Sequence, residues 1–170
     1  MGRKLLLTLA AVVALATIVS CVRLEPIGDG EAARRVAFVC RNGVSMSVWS
    51  AAYFNRLAED RGLRERALAR ASTSSYEAVP LRMRFALALD GFRLDGYVPR
   101  VIGAEDARGA LVVVIDDAEL PAEARSSAAA VEVWQGFPPM REQYFPSRAA
   151  LKVRVEELVD RFEHPSAGRE

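Results

Sequence analysis

The stretch RVAFVCRNGVSMS, residues 35–47, decides the fold of this chain. Residues 35–40 form a β-branched, apolar run that is apolar on both faces, which is typical of a central strand in a parallel sheet. A short polar turn follows, and a helical pattern then extends from about Ser45 to Arg61, where Gly62 ends it. Strand, turn and helix in this order are the building unit of an α/β domain.

The rest of the chain repeats this alternation. Strands are predicted at residues 66–72, 110–115 and 129–134, and helices at residues 80–89, 121–126 and 147–162. Strands that alternate with helices are joined by right-handed crossovers. We therefore predict an α/β domain in three layers, with a four-stranded, doubly wound parallel sheet of strand order 2-1-3-4.

Composition excludes several classes of function. The chain has 170 residues and a net charge of +1, so it has about one domain and none of the basic surface that nucleic acid requires. Its single histidine, His164, and its two cysteines, Cys21 and Cys40, cannot form a Cys/His zinc cluster. We predict no metal, no cofactor and no nucleic-acid partner.

The N-terminus has the layout of an export signal. Residues 2–4 form a short stretch with two positive charges, on Arg3 and Lys4, and Leu5–Val22 is mostly apolar. The apolar run ends Ile-Val-Ser-Cys at residues 18–21, which resembles a bacterial lipobox and implies cleavage before Cys21 and lipid attachment to it. An uncleaved membrane anchor and ordinary signal cleavage are the alternatives. All three place the rest of the chain outside the cytoplasm.

The remaining boundaries follow from this interpretation. Residues 1–20 are a lipoprotein signal peptide, 21–34 a flexible tether, 35–162 the folded domain and 163–170 a disordered tail. The predicted location is the periplasmic side of a bacterial cell envelope, with the membrane reached through the lipid on Cys21. The residue after the lipobox cysteine is Val22 and not the aspartate that often retains lipoproteins at the inner membrane. In a Gram-negative host, this favours the outer membrane.

Cys40 is the candidate reactive group. It is the last residue of the first strand, at the edge where ligands bind in such sheets. The turn after it and the helix N-terminus present backbone N–H groups, which bind an oxyanion and favour a thiolate. Gly43 supplies the left-handed conformation that such a turn needs. A buried structural cysteine followed by an ordinary turn is the alternative.

Three stretches resemble the low-molecular-weight protein tyrosine phosphatases and the arsenate reductases that share their fold. They are VAFVCRNGVSMSVWSAAYFNRLAEDRGL (36–63), ALDGFRLDGYVPRVIGAEDARGALVVVIDD (88–117) and VEVWQGFPP (131–139). The resemblance spans nearly the whole predicted domain. It implies that Cys40 is at the nucleophile position, that Ser47 is at the position that stabilises the thiolate, and that the anion-binding loop consists of Arg41, Asn42, Gly43, Val44, Ser45 and Met46.

Two departures from the family pattern bear on activity. Met46 stands where the family has the arginine that holds the phosphate, and Arg41 starts from the other end of the loop. The family's Asp-Pro general acid is missing from residues 134–139. Asp116 and Asp117, which end the third strand, are weak substitutes for this acid, and acidic residues at such a position more often cap the next helix.

We therefore expect a lipid-anchored, degenerate phosphatase-like protein that binds an oxyanion, a phosphoprotein or another protein partner. Whether it is an enzyme stays open. One alternative is a weakly active tyrosine or aryl phosphatase with Cys40 as nucleophile. Another is a single-thiol redox or structural domain, although no intramolecular disulfide relay is possible once Cys21 carries lipid.

Overall fold

A computed structural model describes residues 22–23, 35–73, 76–94 and 96–164. In chain order its elements are β1 (Val22–Arg23), β2 (Arg35–Cys40), α1 (Met46–Asp60), β3 (Arg66–Ala71), α2 (Leu81–Leu89), β4 (Phe92–Arg93), α3 (Ala104–Ala107), β5 (Leu111–Ile115), α4 (Ala122–Ser127), β6 (Ala130–Trp134) and α5 (Tyr144–Glu163). The predicted signal peptide with Cys21, most of the predicted tether and most of the tail lie outside the described residues.

The main sheet is the predicted one. Its four strands are parallel, in the order β3-β2-β5-β6, which is 2-1-3-4 when only these four strands are counted. Val36 and Phe38 belong to the core on the face that α1 and α5 cover. Ala37 and Val39 belong to a second core on the face of α3 and α4. The central strand β2 is therefore buried on both faces, and the three-layer α/β prediction is confirmed.

Some boundaries differ from the prediction. Helix α5 begins at Tyr144, three residues before the predicted start, because Pro146 lies in its first turn, where proline is tolerated. The same helix includes Glu163, which was predicted to begin the tail. The four-residue helix α3 was not predicted, because a single turn carries no periodic signal.

A second, unpredicted pairing involves the region assigned to the tether. Strand β1 pairs in parallel with β4, with Val22 beside Phe92 and Arg23 beside Arg93. Phe92 is buried, and its ring lies 4.3 Å from the Arg56 guanidinium carbon and packs edge-on against Trp49. Strand β4 thus binds Val22 and Arg23, the two residues that directly follow the predicted lipid attachment site.

Among the described helices, none is both long enough and apolar enough to cross a membrane.

Candidate functional site

The site is built around a contact between Cys40 and Ser47. Cys40 ends β2 and Ser47 lies in the first turn of α1, so the five-residue turn between the two elements brings their side chains together. Cys40 Sγ lies 3.0 Å from Ser47 Oγ, and both residues are buried. The two residues that the family resemblance places at the nucleophile and thiolate-stabilising positions are therefore hydrogen-bonded.

The turn between them, which we call the Cys40 loop (residues 41–45), leads into the first turn of α1, and several backbone amides along this path are unbonded. Among the described residues, no hydrogen bond is donated by the backbone N–H groups of residues 43–48, and the first amide of the helix to bond is that of Trp49, which donates to the Ser45 carbonyl. The Ser45 side chain does not cap the helix. Unpaired amides at a helix N-terminus form a site for an anion, and the helix dipole adds partial positive charge.

Glycine at position 43 is required by conformation and by space. Gly43 has a φ of 65°, in the left-handed region. A Cβ built there would lie 2.8 Å from the backbone nitrogen of Ala71 and 3.1 Å from its Cβ. The loop can approach β3 this closely only because residue 43 has no side chain.

Tyr97 fixes the loop from outside. Its hydroxyl donates to the Gly43 carbonyl oxygen at 2.7 Å. Burial raises the pKa of Tyr97, and the nearby charge of Cys40 raises it further, so the hydroxyl keeps its proton at neutral pH. Tyr97 comes from a distant segment without periodic signal, so the sequence pattern does not predict this hydrogen bond.

Ser72 is a second residue that the sequence reasoning missed. Its backbone N–H is shared between the carbonyl oxygens of Cys40 at 3.0 Å and Arg41 at 3.3 Å, which ties the end of β3 to the start of the loop. Its Oγ is buried and has no hydrogen-bond partner among the described residues. A buried hydroxyl without a partner next to a loop of unpaired amides is the kind of group that a bound molecule satisfies.

The cations and anions around the loop lie at its rim. Arg41 forms an ion pair with Asp117, and both side chains are exposed. The Arg41 guanidinium is thus engaged outside the loop, as expected from its place one residue after Cys40. Met46, at the position where the family has arginine, is partly buried and packs against the core that α1 shares with α5.

Asp116 connects the ends of β5 and β6. Its backbone has a φ of 56°, the one positive value at a described residue other than glycine, and its Oδ1 accepts the Phe137 N–H at 3.4 Å. Burial raises the pKa of Asp116 and the charge of Asp117 adds to this, while the N–H groups of Phe137 and Gly136 oppose it. The pairing of Val39 with Val114 places Asp116 at the same sheet edge as the Cys40 loop. The pKa of Asp116 is therefore shifted in the direction that favours the protonated carboxyl, which is the form that donates a proton.

No group of His, Cys, Asp and Glu side chains suited to a metal ion occurs in the part of the chain that the structure describes. Cys40 is the free cysteine of that part.

No protein-family model and no curated protein matches the chain. Solved structures do. A low-molecular-weight protein tyrosine phosphatase from Bacillus subtilis aligns over 76% of this chain and 97% of its own, with a TM-score of 0.62 and 18% identity. An arsenate reductase from Archaeoglobus fulgidus aligns over 74% and 98%, with a TM-score of 0.57 and 24% identity. An arsenate reductase in the phosphate binding state aligns over 76% and 99%, with a TM-score of 0.60 and 20% identity. The chain therefore has the fold that low-molecular-weight protein tyrosine phosphatases share with arsenate reductases, over nearly the whole length of those proteins.

Proposed function

We propose that this protein is anchored by lipid in a bacterial cell envelope and binds an oxyanion, free or as the phosphate group of a protein, in the Cys40 loop, with little or no turnover. The observation that carries the proposal is the row of unpaired amides at residues 43–48 beside the hydrogen-bonded Cys40 and Ser47. A structural neighbour described as an arsenate reductase in the phosphate binding state supports an anion of this size and shape.

Low turnover follows from what the loop lacks. Met46 offers neither charge nor a hydrogen-bond donor, and the Arg41 guanidinium is paired with Asp117. Loss of one donor that stabilises the transition state costs about 10²–10³ in rate. Residues 134–139 contain no carboxylate to protonate a leaving group, which removes a further contribution of about 10²–10⁴.

A weakly active phosphatase is the second candidate. The contact of 3.0 Å between Cys40 Sγ and Ser47 Oγ favours it, because a hydroxyl donor stabilises a thiolate nucleophile. Asp116, with its raised pKa, is the candidate acid. A redox function is less favoured, since thiol exchange needs access and Cys40 is buried.

Titration of the full chain with inorganic phosphate, followed by calorimetry, tests the anion site. We expect the protein to bind one phosphate, and Gly43→Ala to abolish this binding because the added methyl group displaces the loop from β3. Gly109→Ala is the matched control: Gly109 has the same φ of 65°, but a Cβ there meets nothing within 4 Å. Both variants carry the same backbone strain, so only the Gly43 variant reports on the loop.

The outcomes separate the two candidates. Phosphate binding that both glycine variants retain, or that the native chain lacks, contradicts the anion site. Rapid hydrolysis of an aryl phosphate that Cys40→Ser abolishes contradicts low turnover and establishes the second candidate.

The lipid anchor has its own test. We expect a radioactive fatty acid to label the full chain in a bacterial host and to leave Cys21→Ala unlabelled, because the thioether bond needs the cysteine sulfur. Unlabelled native chain, or label that remains on the Cys21 variant, contradicts lipid attachment at this residue.

A further inference from the structure

Helix α2 has an apolar stripe on its outer face. Leu81, Phe85 and Leu89 follow one another at intervals of four residues, so they lie above one another on the helix. All three are exposed, and Phe85 is 66% exposed. Three large apolar side chains on one short helix are more than the single exposed hydrophobic residues that any protein surface carries.

The opposite face of α2 is fixed to the domain. Met83 and Leu87 are buried in the core that α1 and α5 share. Asp90, which follows the helix, accepts hydrogen bonds from Trp49 Nε1 at 2.8 Å and from the Tyr144 hydroxyl at 2.7 Å, and pairs with Arg148 at 3.0 Å. The apolar stripe is therefore held in place, and it does not become exposed through loose packing of the helix.

Two arginines flank the stripe. Arg82 and Arg84 are exposed, and the helical rotation of about 100° per residue puts them on either side of the line through Leu81, Phe85 and Leu89. Neither guanidinium group forms an ion pair or a hydrogen bond with a described residue. An apolar line bordered by cations is the pattern of a helix that lies in the interface of an anionic bilayer.

The predicted lipid attachment site, Cys21, is adjacent in sequence to a strand that pairs close to the end of α2. Val22 pairs with Phe92 in β4, and Phe92 follows Leu89 by three residues. The path from Cys21 to Leu89 consists of one residue step to Val22, one strand spacing to Phe92 and three residue steps to Leu89. The two Cα atoms are therefore at most about 20 Å apart. A lipid on Cys21 would therefore enter the bilayer close to the apolar stripe.

We infer that the apolar stripe of α2 docks on the surface of the membrane that holds the lipid, with Leu81, Phe85 and Leu89 at the level of the acyl chains and Arg82 and Arg84 at the lipid phosphates. The inference rests on the proposed lipid anchor. The occupant is an anionic phospholipid surface, because a lipid anchor beside the stripe keeps such a surface within reach and the unpaired arginines complement its charge.

Fluorescence quenching by brominated phospholipids tests the docking. The full, lipidated chain is reconstituted in vesicles of phosphatidylethanolamine and brominated phosphatidylglycerol, as Phe85→Trp or as Phe145→Trp. Phe145 on α5 is the matched control, since it is an aromatic residue of the same type on a helix and is 65% exposed. We expect the lipid to quench the tryptophan at position 85 more strongly than that at position 145, and to leave the buried Trp49 and Trp134 unquenched.

Two further variants define the expected chemistry. In the Phe85→Trp chain, Leu81→Ser with Leu89→Ser should remove the quenching. Arg82→Gln with Arg84→Gln should lower the ratio of docked to undocked protein about 30-fold, because each arginine near an anionic surface contributes about 1 kcal/mol to binding.

Each contrary result has a separate meaning. If the chain carries fatty acid and sediments with the vesicles while position 85 is no more quenched than position 145, the docking is wrong and the anchor stands. If the chain carries no fatty acid, the anchor itself is wrong. If Leu81→Ser with Leu89→Ser instead converts a dimer into a monomer, the stripe is an interface between copies and the docking is overturned.

Discussion

Met46→Arg is expected to raise hydrolysis of an aryl phosphate by about 10²–10³, the contribution of one donor that stabilises the developing charge. The added guanidinium would stand at the first residue of α1, next to Ser47 and to the unpaired amides of the Cys40 loop. A planar guanidinium forms two parallel hydrogen bonds with a phosphate, which methionine cannot do. The measurement is kcat/KM for an aryl phosphate on the full chain.

Two controls isolate the cause of this gain. Met46→Lys supplies the charge without the planar fork, so its gain should be clearly smaller. Cys40→Ser combined with Met46→Arg should be inactive, because the serine hydroxyl lacks the low pKa of a thiol. A gain that survives in this double variant would contradict Cys40 as the nucleophile.

The missing acid can be restored in the same background. Pro138→Asp creates an Asp-Pro step with Pro139 in the segment after β6, and we expect it to raise the rate of Met46→Arg further. If neither variant gains activity while both still bind phosphate, the loop does not hold a substrate in a reactive position, and the loss of turnover has a cause other than the two missing side chains.

The parts of the fold that the sequence predicted are those with a strong periodic or continuous signal. Strand β2 is buried on both faces, so the run from Val36 to Cys40 is apolar throughout and could not be mistaken. The start of α5 was predicted three residues too late, at the residue that follows Pro146. In the structure Pro146 occupies the first turn, where a proline removes no hydrogen bond.

The site was predictable only where it is local in sequence. Cys40 and Gly43 follow from one strand and the turn after it, and the resemblance to low-molecular-weight phosphatases adds Ser47 in the helix that follows. Tyr97 and Ser72 reach the loop from other segments, and nothing in their own neighbourhood indicates that they touch it. The ion pair between Arg41 and Asp117 is likewise a tertiary contact, and it explains why an arginine so close to Cys40 does not replace the family's arginine.

A buried ion pair holds the end of β3, the strand against which the Cys40 loop packs. Arg70 Nη2 donates to Asp106 Oδ1 at 2.6 Å, and the two side chains are 11% and 14% exposed. Arg100 and the Gly103 N–H also bond to the Asp106 carboxylate, at 3.2 and 3.3 Å. Arg70 is the neighbour of Ala71, against which Gly43 packs. Removing the Asp106 charge would leave a buried guanidinium without a counter-ion on the residue next to Ala71.

Asp106→Asn is expected to lower the free energy of unfolding by about 3 kcal/mol near neutral pH, because breaking a buried pair strands the other charge. Burial opposes ionisation of Asp106, but the hydrogen bond and charge of Arg70, with help from Gly103 and Arg100, hold its pKa below the usual range. A carboxyl whose pKa is lowered on folding stabilises the protein above its unfolded pKa, and this contribution is lost as pH falls through the folded pKa.

Urea titrations at several pH values should therefore show a native chain that loses stability below about pH 5 and a variant with a shallower dependence. Asp117→Asn breaks only the exposed pair with Arg41 and should change stability by less than about 1 kcal/mol, so equal losses in the two variants would contradict the buried pair as the support of β3.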